Sequence, residues 1–237
     1  MKIVTNSKLI KRNAKIGQYT TIGALVILGA GLFITFRFPD KFIYSLICLS
    51  VGFLLSQVGM QYGNRWGRSP RPDEIINRNM KGLGREYTIY HYTTPASHLL
   101  VGPAGVWVIL PYYQGGKITY NGKRWRSSGG GFARSYMRIF GQESMGRPDL
   151  DVASETSAAT RHLTRLLPEG SAVPEVRAAM LFTDPKVELL VENPPIPAMK
   201  AEELKDFLKR TAKEKPIGEL ALTAVRSVLP KPEKEEE

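Results

Sequence analysis

The 237-residue chain carries a formal net charge of +11, and its length allows one or two domains. Its single cysteine, Cys48, excludes an intramolecular disulfide, and its histidines, His91, His98 and His162, stand at no zinc-ligand spacing. No nucleophile-elbow motif occurs, and Gly129 to Gly131 lack the following Lys-Ser/Thr of a phosphate-binding loop.

The charge is unevenly spread: +5 before residue 16, +1 between residues 37 and 41, and +5 over the rest. No charged residue occurs from Ile16 to Phe36, 21 residues, or from Phe42 to Asn64, 23 residues. A helix needs about 20 apolar residues, at ~1.5 Å rise each, to cross the hydrocarbon core. The sequence therefore predicts a basic segment 1–15 and a transmembrane hairpin over 16–64, with spans at about 17–36 and 42–61. Pro39 and Asp40 supply the turn. A cleaved signal peptide fits less well, because the first run exceeds the usual apolar segment of ~7–15 residues and a second run follows at once.

Lys2, Lys8, Lys11, Arg12 and Lys15 precede the first run, and Arg65, Arg68 and Arg71 follow the second. This excess on the outer flanks predicts a multi-pass protein of the plasma membrane with both termini cytoplasmic. Gly29-Ala30-Gly31 offers a small-residue face for close helix approach, and Cys48 reads as packing.

After a Pro- and Arg-rich linker at 65–72, a helix is expected from Asp73 to about Leu83, with Ile75, Ile76, Met80 and Leu83 as its apolar stripe. Strands are expected at 87–92, 97–101, 106–110, 117–120, 123–125, 177–183 and 187–192. The Gly102-Pro103-Ala104-Gly105 turn separates two of them, and Asn121-Gly122 signals a two-residue type I′ hairpin. Residues 127–131 read as a loop. Helices are expected at about 149–167, 200–211 and 217–229, followed by a charged tail at 230–237. The order predicts an α/β or α+β domain on one mixed sheet. It divides into a globular part at 73–195 and C-terminal helices at 196–229.

The segment from Ser97 to Ile109, with Gly116 to Ile118 and Trp125, resembles the nuclease-related domain (NERD) family of the restriction-endonuclease-like superfamily. The resemblance covers roughly Asp73 to Trp125 and, at its widest, the whole domain to about residue 195. It implies a restriction-endonuclease-like fold and a metal-dependent nuclease site: an Asp before the histidine of one strand, and a Glu-x-Lys at the end of the next. Here Ser97 stands at the Asp position, Leu110 at the Glu, Pro111 between, and Tyr112 at the Lys. Asp73 or Glu74 is the only acidic remnant that the resemblance leaves. Independently of the family, no Asp or Glu occurs from Tyr87 to Gln142, whereas magnesium demands oxygen ligands, usually carboxylates. A nuclease-like domain without a catalytic site, metal or cofactor is therefore expected. A relocated carboxylate from residues 149–155 is the alternative.

Lys117, Lys123, Arg124, Arg126, Arg134 and Arg138 form a basic stretch with Tyr120, Trp125, Phe132 and Tyr136 interleaved. Three readings stand: phosphate contact with base stacking on nucleic acid, docking on anionic lipid, or a solvated face. The expected function is a membrane-anchored, non-catalytic interaction module that meets the bilayer and a protein partner not named by the sequence. The alternative is a nucleic-acid-binding or residually nucleolytic protein.

Overall fold

A computed structural model describes residues 1–122, 124–128 and 145–231. The chain forms two units: Ser7–Arg71, and Met1–Asn6 together with the chain from Pro72 onward.

In the first unit, α1 (Ser7–Arg37) and α2 (Phe42–Tyr62) are joined by a 3₁₀ turn at Pro39–Lys41, and helical structure continues through a π turn at Gly63–Gly67. The first helix begins at Ser7, ahead of the predicted span, because Lys, Arg, Leu and Ala propagate a helix and no Gly or Pro interrupts residues 7–16. One correction to the sequence reading follows. The segment 65–72 starts as helix rather than as an extended linker.

The residues buried on α1 are Ile10, Gly17, Ala24 and Gly31, and those on α2 are Ser45, Gly52 and Gly59. Each set repeats every seven residues, the 3.5-per-turn period of a left-handed coil. Small side chains let the two backbones approach closely. A Cβ on Gly31 would lie 2.8 Å from Cys48 Cβ, so Cys48 does serve packing. Gly29 faces open space, so only one of the two expected glycines is in the contact. The hydroxyls of Thr35 and Ser45 touch each other, and each lies 2.9 Å from the Gly31 carbonyl oxygen.

The remaining faces are apolar and turned outward: Leu25, Val26, Phe33 and Leu54 are each more than 60% exposed. Both helices are long and apolar enough to cross a membrane. Only 11% and 17% of their most apolar windows are buried, unlike the core helix of a soluble protein.

The second unit is a mixed α/β domain. Its larger sheet has the order β1-β2-β3-β4-β7-β9, with β1 Lys2–Thr5, β2 Thr88–His91, β3 His98–Gly102, β4 Gly105–Tyr112, β7 Val176–Phe182 and β9 Ala198–Lys200. A smaller sheet, β6-β5-β8, contains β5 Lys117–Tyr120, β6 Trp125–Ser128 and β8 Glu188–Leu190. The helices are α3 (Pro72–Asn79), α4 (Pro148–Leu166), α5 (Leu204–Glu214) and α6 (Glu219–Val228).

The pleat sends alternate residues into two cores. Leu99, Val101, Val106, Val108, Met180 and Phe182 meet Ala159 and Leu163 of α4 and Leu222 and Val225 of α6. Ile89, Leu100, Trp107, Ile109, Ala179 and Leu181 meet Ile76 of α3 and Leu204 and Leu208 of α5.

Further corrections concern the ends of the chain and one hairpin. The basic segment 1–15 contains β1, whose Ile, Val and Thr suit a strand and pair in parallel with β2 (Ile3 with Ile89, Val4 with Tyr90). Residues 198–200 add a strand beside β7, and the C-terminal helices pack into the same cores as the rest of the domain. The helix α3 stops at Asn79 rather than Leu83, with Gly82 at φ +81°. The Asn121-Gly122 hairpin closes on a Tyr120–Trp125 pair, so its loop is longer than two residues, and Arg124 N–H donates to Asn121 Oδ1 at 2.8 Å. Ser127 and Ser128 belong to β6 rather than to a loop.

The Gly102–Gly105 turn has a physical cause. Gly105 sits at φ +106°, where a side chain is strained. The Ala104 carbonyl accepts from Trp107 Nε1 at 2.8 Å and from Arg177 Nη2 at 2.6 Å, and the Arg177 guanidinium lies 4.5 Å over the Trp107 ring.

The interhelical contact generates a prediction. A Cβ on Gly59 would meet Thr21 N and Cα at 3.0 and 3.1 Å. Gly59→Ala should destabilise the helical pair by about 1–3 kcal/mol, seen as a lower unfolding midpoint in micelles. Gly29→Ala should leave the midpoint unchanged or raise it.

Candidate functional site

Strands β1, β2, β4, β7 and β9 run in the same direction and β3 runs against them, so one edge of the sheet gathers the ends of β2 and β4 and the start of β3. Ser97, Leu110 and Tyr112, the positions singled out by the family resemblance, lie at this edge on the face covered by α4. Leu110 is buried in the apolar core of that face.

Helix α4 brings two carboxylates one turn apart to the same place. Glu155 accepts from Ser97 twice, from its backbone N–H at 2.7 Å and its hydroxyl at 2.8 Å. Tyr112 donates its hydroxyl to Asp151 Oδ2 at 3.3 Å. Burial pushes the Tyr112 phenol well above the usual tyrosine range, and the Asp151 carboxylate beside it, then Glu155 and Asp149, push it the same way. Tyr112 is therefore a neutral donor at physiological pH. It cannot take the part of the cationic Lys that the resemblance implies there.

The acidic remnants do not join this group. Helix α3 covers the opposite face, where Asp73 is buried on the same stripe as Ile76 and Met80. That face carries a second polar cluster, because Ser97 and its neighbour His98 alternate to opposite sides. His91 and His98 are directly paired across β2 and β3, with Nδ1 atoms 2.8 Å apart, and His91 Nε2 lies 2.9 Å from Asn77 Oδ1. Tyr92, at φ +58°, sets its ring edge-on to His98 at 4.8 Å.

Proton counting fixes the roles in this cluster. The Asn77 oxygen only accepts, so His91 Nε2 carries a proton. In the neutral pair, His98 Nδ1–H then donates to His91 Nδ1.

Among the described residues, no three His, Cys, Asp or Glu side chains converge as metal ligands. The residues at the edge do not fit the two-carboxylate, one-lysine metal site of the resemblance. Leu110 is apolar, Tyr112 is a neutral donor, and the carboxylates present already accept from Ser97 and Tyr112.

The basic stretch is only partly described: Lys123, Arg134 and Arg138 lie outside the described residues. Lys117 and Arg126 point outward from β5 and β6, Arg124 lies in the turn between them, and Lys117 Nζ is 3.7 Å from Glu188. Tyr120 and Trp125 face the other way, into the α4-side core, with rings 5.0 Å apart. The aromatics expected to stack on bases are thus, among the described residues, core residues.

Sequence reading missed the His91–His98 contact and the Ser97–Glu155 link. The first was encoded in the antiparallel register of β2 and β3. The second had a signal, since Glu155 occupies the inward stripe continued by Ala159 and Leu163.

Compared with protein-family models, with curated proteins and with solved structures, the chain matches none.

Two predictions follow from the edge. Glu155→Ala removes the acceptor of two half-buried donors and should cost about 2 kcal/mol in denaturant unfolding, with Ser97→Ala costing less. Tyr112, Tyr90 and Tyr87 are all held above the usual tyrosine range, chiefly by burial. The unfolded chain releases these protons near pH 10 while the native chain keeps them. Stability is therefore fully present below about pH 10 and lost as pH rises through the native values. In alkaline thermal melts, Tyr112→Phe should fall less steeply than the wild type.

Proposed function

We propose that the chain is a membrane-anchored, non-catalytic interaction module built on a degenerate nuclease-related (NERD) domain, held by the hairpin at the cytoplasmic face of the plasma membrane. The observation that carries this reading is the use made of the edge. Where the family resemblance implies a metal-binding Asp and Glu-x-Lys, Ser97, Leu110 and Tyr112 stand. The two carboxylates that reach Ser97 and Tyr112 act as hydrogen-bond acceptors.

The orientation has its own support. β1 precedes α1 and pairs with β2, which follows α2. If both helices span, residues 1–6 and the domain lie on one side of the membrane, and the Lys and Arg excess on the outer flanks makes that side cytoplasmic. The module would then present the domain to a protein partner at the membrane surface.

One observation favours the second reading, a nucleic-acid-binding or residually nucleolytic protein: Asp151 and Glu155 do reach the face of Ser97 and Tyr112. Full-length protein in lipid nanodiscs, given single- and double-stranded DNA and RNA with Mg²⁺ or Mn²⁺, should release no cleavage products. Metal-dependent cleavage that disappears in Asp151→Asn would overturn the non-catalytic reading.

A further inference from the structure

The reading as a membrane-anchored module leaves open what the basic stretch meets. We infer that the outward face of the β5–β6 hairpin docks on the anionic lipid headgroups of the membrane in which the chain is anchored.

Three independent features of the domain point to a lipid surface. The first is the separation of charge from aromatics. In the β5–β6 register, Lys117 pairs with Ser128 and Thr119 with Arg126, so Lys117, Thr119, Arg126 and Ser128 share one face. Ile118, Tyr120, Trp125 and Ser127 share the other, and its apolar members pack in the core. Among the described residues, the outward face offers cations and hydroxyls, which suit phosphate, without a ring on which a base could stack.

The second is the neighbouring strand. β8 extends the same face, where Leu190 lies beside Thr119 and is 56% exposed. A solvent-facing leucine among cations matches an interfacial surface, which takes charge at the headgroups and an apolar group just below them. Glu188 offsets Lys117 at 3.7 Å, which leaves Arg124 and Arg126 as the principal cations of this face among the described residues.

The third is chain topology. β4 ends at Tyr112 on the sheet edge where β1 also ends, at Thr5. The small sheet is built from the chain leaving β4 there, with Thr183 N–H bonded to the Tyr112 carbonyl and Glu188 N–H to the Gly116 carbonyl. β1 passes to α1 through Asn6 at that same edge. The chain thus enters both the small sheet and the tether to the first apolar helix from the same end of the larger sheet.

Two cations held at an anionic surface are worth up to roughly thirtyfold in a docking equilibrium. The test uses the full chain in nanodiscs of phosphatidylcholine alone and in discs with phosphatidylglycerol added, read by amide hydrogen exchange over residues 117–128. Exchange should slow several-fold in the anionic discs. It should return to the neutral-disc rate at high salt, because exposed charges are screened, and also in the Arg124→Gln/Arg126→Gln variant.

Equal exchange in the two lipids would overturn the inference, and the comparison needs no variant to fold. Binding of short RNA or DNA to neutral discs that is lost in the double variant would also overturn it, assigning the face to nucleic acid. Failure of the chain to enter discs at all would instead defeat the membrane-anchored reading on which the inference rests.

Discussion

The four-residue ladder between β1 and β2 is the constraint on which the rest depends. It joins residues that precede the two apolar helices to a strand that follows them. Without it, β2 would be an edge strand, although all four of its residues are buried. An exposed row of backbone donors and acceptors on such a strand invites non-native pairing. The ladder also places Asn6, whose N–H donates to the His91 carbonyl at 3.0 Å, beside the buried histidine pair. The chain from Pro72 onward is therefore an incomplete sheet, and the residues ahead of the first apolar helix belong to the domain that follows the second.

Legibility in the sequence tracked the range of the signal. The two apolar runs, the helices at 148–166, 204–214 and 219–228, and the strands around Gly102–Gly105 were all readable, because each rests on local periodicity or turn chemistry. β1 was not. Four residues between a chain end and a helix have no flanking turn, and their pairing partner lies more than eighty positions away. β9 escaped for the same reason: Ala198 to Lys200 have little intrinsic strand preference, and they become a strand by lying beside Met180, Leu181 and Phe182. The start of α1 at Ser7 was not legible, because the charge pattern marks where a span can begin, not where helical backbone begins.

The candidate site divides in the same way. Composition gave the absence of acids between Tyr87 and Gln142 and located Ser97, Leu110 and Tyr112 in sequence. It could not show that Asp73 and Glu74 belong to the opposite face of the sheet from those three, since that depends on which side α3 packs. Nor could it show the inward orientation of Tyr120 and Trp125. Basic and aromatic residues alternating along a strand look like a nucleic-acid platform in one dimension. In a pleated sheet the same alternation sends the rings to the core and the charges to solvent.

Both polar clusters at the edge follow from one economy of the fold. A strand end leaves backbone donors that must be met, and helix α4 meets the Ser97 N–H with a carboxylate rather than with another strand. On the other face, α3 meets His91 with Asn77, and His91 and His98 satisfy one another. The polar groups at the strand ends are here committed to holding α3 and α4 against the sheet.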